Sequence, residues 1–320
     1  MSEHAINYKT NRCNRFCLRG FGLAFLLAGG LFAAKSSFAE QSPELPSVVT
    51  FTSATDSDNG SEFYLGTDVA LADGQRLSLV AGKINLGSQN QFNSGLDPLD
   101  YAIGFNSNPG KTFPVGIEYE FWGEEGEFTI QALRGTLGYN HKWFSVSASP
   151  QSREFELYFQ DGRKLKFSSK GYSVKLDIQG VKNVLVSLGY TKNDYDLTVF
   201  QLLSALARRE TDVLRRLLGL TALYVIGQRL QSAASFDDRI YNAGVNYYFS
   251  WGDVGAYWIR SRSVIKDPDT GDQIFRQSYG VTTTVDLTAD WSLGLQLGTQ
   301  SFSNDNSTLT SGSALLSYYW

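Results

Sequence analysis

The sequence predicts an all-β chain that closes into a transmembrane, antiparallel, up-and-down barrel of about fourteen strands, with about twelve or sixteen as alternatives. Three observations carry this. Apolar and polar residues alternate with period two over segments long enough to cross a bilayer. Short and long connections alternate between those segments. Aromatic residues gather beside the short turns.

The chain has 320 residues, 42% hydrophobic, 14% aromatic and 19% charged. Its mean hydropathy of -0.21 is that of a soluble protein, but a barrel strand hides only every second side chain from water, so bulk hydropathy stays low. Gly is abundant at 31, Tyr and Phe reach 17 and 21, and there is 1 Met. That profile favours strands and tight turns over helices.

Residues 1–39 read as a cleaved secretory signal peptide, with 40–320 as the barrel. Lys9, Arg12, Arg15 and Arg19 form a basic segment, residues 20–34 an apolar core, and Ser37-Phe38-Ala39 a small-residue cleavage site before Glu40. The apolar run is shorter than the ~20 residues a membrane-spanning helix needs. Both cysteines, Cys13 and Cys17, lie inside this segment and in no lipid-attachment context. The expected mature chain therefore has no disulfide, thiolate catalyst or cysteine-bound metal, which suits an oxidising compartment. Cleavage removes five bases (Lys9, Arg12, Arg15, Arg19, Lys35) and one acid (Glu3), leaving 23 bases against 31 acids, a net of -8. This excludes a nucleic-acid partner.

Strands are expected near 47–55, 61–71, 75–86, 99–106, 113–122, 127–139, 142–150, 166–178, 183–195, 238–249, 253–264, 273–288, 290–302 and 309–320. The alternation is explicit in several. Phe63, Leu65, Val69 and Leu71 oppose Tyr64, Gly66, Asp68 and Ala70. Leu99, Tyr101, Ile103 and Phe105 oppose Asp100, Ala102, Gly104 and Asn106. Trp291, Leu293, Leu295 and Leu297 oppose Ser292, Gly294, Gln296 and Gly298. A soluble sandwich also has one apolar face. Here the second face is rich in Gly, Ser, Thr and charge, and the segments approach the ~9–11 residues of a membrane strand. Residues 153–159 and 163–169, flanking Asp161-Gly162, read as a hairpin projecting from a loop. Sixteen strands would follow if that pair lay in the wall.

Short connections include 72–74, 140–141, 180–182, 250–253 and 289–290; longer polar ones include 87–98, 151–169, 196–237, 264–272 and 303–308. Barrels of this kind place short turns on the periplasmic side and long loops outside. Trp143, Trp251 and Trp291 sit beside short turns, and Tyr247, Tyr248, Phe249, Tyr318, Tyr319 and Trp320 fall at the same strand ends. An amphipathic ring there meets both lipid and water.

The last strand ends on Ala314, Leu316, Tyr318 and Trp320 at alternate positions, with Gly312 preceding them. This resembles the terminal strand of bacterial outer-membrane β-barrels, in which a glycine often stands where this chain has Leu315. The resemblance implies residence in the bacterial outer membrane, lipid and lipopolysaccharide as surroundings, and Tyr318 and Trp320 as an insertion signal for the barrel-assembly machinery. It reaches architecture and no functional subfamily.

Functional expectations rest on two features. Residues 197–220, within the 196–237 insert, have helical period: Leu203, Leu206, Val213, Leu217 and Leu220 form an apolar stripe, with Arg208, Arg209, Arg215 and Arg216 off it. Such a helix in an extracellular loop either narrows the mouth or contacts lipopolysaccharide through its arginines, or is a structural cap with solvated arginines. The polar faces carry Asp68, Asp100, Glu118, Glu120, Lys175, Asp177 and Asp286 as expected pore-lining residues. A mixed but acidic wall favours cations. The alternative is a filled interior, with these carboxylates paired to Arg134, Lys175 or Arg260.

No cofactor, catalytic or metal site is expected. Asp56, Asp58 and Gly60, like Asp267, Asp269, Gly271 and Asp272, lack the Ca²⁺-loop spacing and read as hairpin tips. His141 is the one histidine after residue 39, and it lies in a short turn with no nucleophile motif beside it. Residues 40–47 are too few for a plug domain. The sequence thus favours a non-enzymatic, porin-like channel for small solutes or ions. A structural or interaction barrel presenting the 196–237 helix is the alternative, and an outer-membrane enzyme the weakest reading; self-association into a homo-oligomer stays open. Intact-mass measurement of the membrane-purified protein should show a chain beginning at Glu40; a chain retaining residues 20–34 would refute the cleavage.

Overall fold

A computed structural model describes residues 46–56, 60–72, 74–85, 98–108, 111–124, 128–158, 164–196, 236–266, 272–303 and 305–320. Residues 1–45, with the expected signal peptide, most of the 196–237 insert and its four arginines lie outside the described residues. The strands are β1 (Val48–Asp56), β2 (Ser61–Ala72), β3 (Gln75–Asn85), β4 (Leu99–Ser107), β5 (Val115–Glu124), β6 (Phe128–His141), β7 (Phe144–Tyr158), β8 (Lys164–Val181), β9 (Val184–Tyr195), β10 (Asp237–Phe249), β11 (Gly252–Lys266), β12 (Gln273–Asp286), β13 (Trp291–Phe302) and β14 (Asp305–Tyr319). Each pairs antiparallel with its neighbour in sequence, and β1 pairs with β14, so the sheet closes into one barrel.

Closure joins Val48 to Tyr319 and Asp56 to Ser311 in an unbroken register. Beyond the strand ends, the Ser47 N–H donates to the Trp320 carbonyl at 3.1 Å and the Trp320 N–H to the Ser47 carbonyl at 3.0 Å. This removes the last unpaired sheet edge.

Two findings revise the sequence reading. Residues 153–158 and 164–169 are not a hairpin set on a loop. They continue β7 and β8, and Phe155 pairs with Phe167 in the same ladder as Ser145 with Asp177. The barrel therefore has fourteen strands with no extra pair. β8, at 18 residues, is twice the length of β1 or β4, so the wall stands higher along one side.

Large apolar side chains occupy one face: Ile117 is 55% exposed, Leu137 61%, Val281 54% and Leu297 64%. So continuous an apolar face in water would be an aggregation surface, and against lipid it is the required one. The opposite face is concave, because its side chains meet across an intervening strand. Gln151 of β7 donates to Asn193 of β9 at 2.6 Å, and Gln296 of β13 to the Tyr257 hydroxyl of β11 at 3.0 Å.

Small residues on the inner wall make room for rings. A Cβ on Gly82 would stand 2.2 Å from the Tyr64 ring, and one on Gly298 2.3 Å from the Tyr257 hydroxyl. Tyr64 and Tyr257 lie along the wall over these glycines. At the β2–β3 turn, Gly74 adopts φ +70°, which only glycine takes without strain.

Aromatic pairs mark the short-turn end on the outer face. Trp291 meets Tyr318 at 4.8 Å between ring centroids, Phe249 stacks on Trp251 at 5.0 Å, and Tyr318 stacks on Trp320 at 6.3 Å. The two residues of the expected insertion signal thus belong to this girdle.

Candidate functional site: the inner wall of the barrel

Register fixes which residues share the inner face, because side chains alternate along a strand. On β2–β5, Glu62, Asp68, Asp100, Glu118 and Glu120 face inward, each paired in register with an inner residue of the next strand. Bases among them are fewer. The Arg76 Nε donates to Asp68 Oδ1 at 2.6 Å, and Arg134 Nη1 of β6 to Glu118 Oε1 at 2.8 Å. Asp100 is 6% exposed between Gly82 and Trp122 in the ladders. Glu120 stands between Ala102 and Ala132.

On β8, Lys175 binds Asp177 at 2.9 Å, and the Ser187 hydroxyl donates to Asp177 at 2.6 Å. Asp286, at the short-turn end of β12, pairs in register with Ser292. All seven residues expected on the pore wall therefore share the inner face. They are spread around the circumference, not gathered in one cluster. Arg260, named in the filled-interior alternative, is not with them: it faces outward, 5.2 Å above the Phe275 ring.

Part of this wall is exposed. The Lys175 side chain is 52% exposed and those of Glu118 and Arg134 are 42% and 36% exposed, although all three point into the barrel. The charges nearer the short turns are thus accessible from inside the barrel. An exposed pair of this kind contributes only ~0–1 kcal/mol to stability. Its charges act on whatever occupies the lumen.

Nearer the long-loop end, the inner face of β7–β12 is packed instead. Phe155 stacks on Phe167 at 4.7 Å and on Phe236 at 5.3 Å, with Tyr195 beside them at 6.1 Å. Arg153 Nη2 donates to the Tyr195 hydroxyl at 2.9 Å, and that hydroxyl donates to the Asp237 carbonyl at 3.3 Å. Arg276 Nη2 reaches Asp237 Oδ2 at 2.5 Å across β11, and its Nε donates to the Ser261 hydroxyl at 3.0 Å. Arg153, Asp237 and Arg276 are 4%, 5% and 6% exposed. Burying such charges requires that every one be paired and hydrogen-bonded.

Sequence reasoning missed this network. Its members come from β7, β9, β10, β11 and β12, and period-two alternation says nothing about contacts that skip a strand. The inward phase of Arg153 and Arg276 was the one available signal. Among the described residues, no group of three or more His, Cys, Asp and Glu side chains is arranged to hold a metal ion.

The Arg276→Met variant should lose about 3 kcal/mol, because removing one partner strands a buried carboxylate. Reversible urea unfolding from lipid vesicles checks this. The double variant with Asp237→Asn should lose less than the sum of the two single changes.

No protein-family model matches the chain, and no curated protein matches it. Among solved structures, the KdgM porin is similar at 8% identity and TM-score 0.42, over 85% of this chain and 99% of that one. OccK3 (OpdO) of Pseudomonas aeruginosa is similar at 8% identity and TM-score 0.45, over 86% and 94%. A BenF-like porin from Pseudomonas fluorescens Pf-5 is similar at 8% identity and TM-score 0.41, over 88% and 99%. Nothing about this chain's solute follows from likenesses of that size. By its own geometry, the chain is an antiparallel transmembrane β-barrel of the outer-membrane type.

Proposed function

We propose that this barrel is a passive outer-membrane channel for small solutes or ions, with a preference for cations. The observation that supports this best is the partial exposure of inward-facing Lys175, Glu118 and Arg134. Charged side chains exposed inside a closed barrel are what a conducting lumen needs, whereas a filled interior would bury them; Glu118 with Arg134 and Asp177 with Lys175 are ion pairs, so the support is their exposure.

The sign of the preference comes from the acidic arc. Glu62, Asp68, Glu118 and Glu120 face Arg76 and Arg134 on β2–β6, with Asp100 buried among them, so that side of the wall carries an excess of acidic side chains. A solute passing within about 8 Å of it at physiological ionic strength feels a largely unscreened field. Nothing in this arrangement needs a nucleophile, a general base or a metal; the protein would act by the dimensions and charge of its lumen.

Single-channel recording across a KCl gradient tests both parts. The expected reversal potential has the sign of K⁺ preference, and Glu118→Gln with Glu120→Gln moves it toward zero while conductance persists. Anion preference would overturn the acidic-wall argument. Absence of conductance, together with no liposome swelling in small sugars, would favour a structural or interaction barrel.

A further inference from the structure

The outer face of β8–β11 carries a pattern that conduction does not explain. Four adjacent strands each bear an outward aromatic followed, two residues nearer the long-loop end, by an outward base. The pairs are Tyr172 and Lys170, Tyr190 and Lys192, Tyr241 and Arg239, and Trp258 and Arg260. The rings are neighbours in space: Tyr190 lies 6.2 Å from Tyr172 and 5.2 Å from Tyr241 between centroids. They form the upper counterpart of the short-turn girdle, which places them at the lipid–water boundary of the outer leaflet. Two residues along a strand is about 7 Å, so the bases stand at headgroup level.

Across the ladders, Lys192 pairs with Arg239, and Arg239 with Arg262. Like charges set directly opposite one another destabilise a sheet. Two carboxylates offset part of this. Asp194, which also lies opposite Lys170, binds Lys192 at 3.0 Å, and Asp238 binds Arg262 through two hydrogen bonds. Higher on the wall, Glu156 holds Lys164 and Lys166. Lys170 and Arg239 are exposed and form no ion pair among the described residues. Arg260 is exposed and stacks on Phe275. Beside it, a cleft of about 220 Å³ runs between β11 and β13, with Phe275, Gln277, Ser301 and Ser303 among its lining residues.

On β13, β14 and β1 the pattern is absent. The corresponding outward positions are Thr299 and Ser301 on β13, Thr310 and Thr308 on β14, and Ser53 and Thr55 on β1. A uniform ring of bases would be a general interfacial anchor. Elsewhere on the outer face an exposed base stands singly, as Lys83 on β3 in register with Phe63, whereas four adjacent strands each carrying an aromatic and a base make a site.

We infer that the outer wall of β8–β11 binds a phosphorylated glycolipid of the outer leaflet, the lipid A moiety of lipopolysaccharide, with Lys170, Arg239 and Arg260 on its phosphates. Acyl chains lie against Tyr172, Tyr190, Tyr241 and Trp258. The anion relieves the repulsion in the Lys192–Arg239–Arg262 row, and guanidinium groups hold phosphate oxygens by paired hydrogen bonds. This assigns the lipid contact to the barrel wall, in addition to anything the 196–237 insert does. It does not depend on whether the lumen conducts.

Native mass spectrometry of the delipidated, detergent-purified barrel, titrated with bisphosphorylated lipid A, tests the assignment. The expected result is one lipid per barrel, bound much more tightly than dephosphorylated lipid A. The triple variant Lys170→Gln, Arg239→Gln and Arg260→Gln should bind about a hundredfold more weakly, at about fivefold per base removed. The variant relieves like-charge repulsion and so should fold, which heat-dependent gel mobility confirms. Lys142→Gln, in the short turn beside Trp143, should leave binding unchanged. Equal binding by the triple variant, or by dephosphorylated lipid A, would overturn the assignment. So would displacement of the lipid by millimolar inorganic phosphate, which would mark a site for a soluble anion.

Discussion

A backbone N–H or C=O left unpaired in hydrocarbon costs several kcal/mol, and the rest of this structure depends on that constraint. No described helix is long and apolar enough to cross a membrane; the described strands satisfy their polar backbone by pairing with one another. Closure of β1 on β14 does this for the last edge. The even strand number, the antiparallel order and the short turns between neighbours all follow from closing a meander in lipid.

Once the sheet is closed, its two faces have different solvents. The outer face carries Leu, Ile, Val and aromatic side chains that would be a liability in water. The inner face divides. Toward the short turns, charged side chains are partly exposed. Toward the long loops, Phe155, Phe167 and Phe236 pack together, and Arg153, Asp237 and Arg276 complete one another's hydrogen bonds. The buried network braces five strands on the taller side of the wall.

The architecture was legible because it rests on local pattern. Alternation, turn spacing and terminal aromatics follow from a period of two and from the bilayer's two interfaces. The inward placement of Asp68, Asp100, Glu118, Glu120, Lys175, Asp177 and Asp286 followed from the same phase. Legibility failed where the phase was ambiguous or the contact non-local. On β11, Tyr257 and Ile259 face inward while Trp258 and Arg260 face outward, so hydrophobicity alone does not tell the faces apart. The stretch beyond Pro150 looked like a projecting hairpin because its outward positions, Ser152, Glu154 and Glu156, are polar. They are polar because the wall there continues above the apolar belt. The Arg276–Asp237 pair spans β11, and no sequence periodicity encodes a contact of that kind.

The seam between the first and last strands is where the account is most exposed to test. In a chain with Cys13 and Cys17 replaced by serine, cysteines placed at Ala54 and Ser313, which are register partners on the inner face, should form a disulfide on oxidation of the folded barrel. The unfolded, oxidised chain would then migrate as a closed loop on a denaturing gel until reduced. Cysteines at Ala54 and Ser317, further along the same strand, should not cross-link. Failure of the first pair in a heat-resistant, folded barrel, or equal cross-linking by the second, would contradict the closure on which both faces depend.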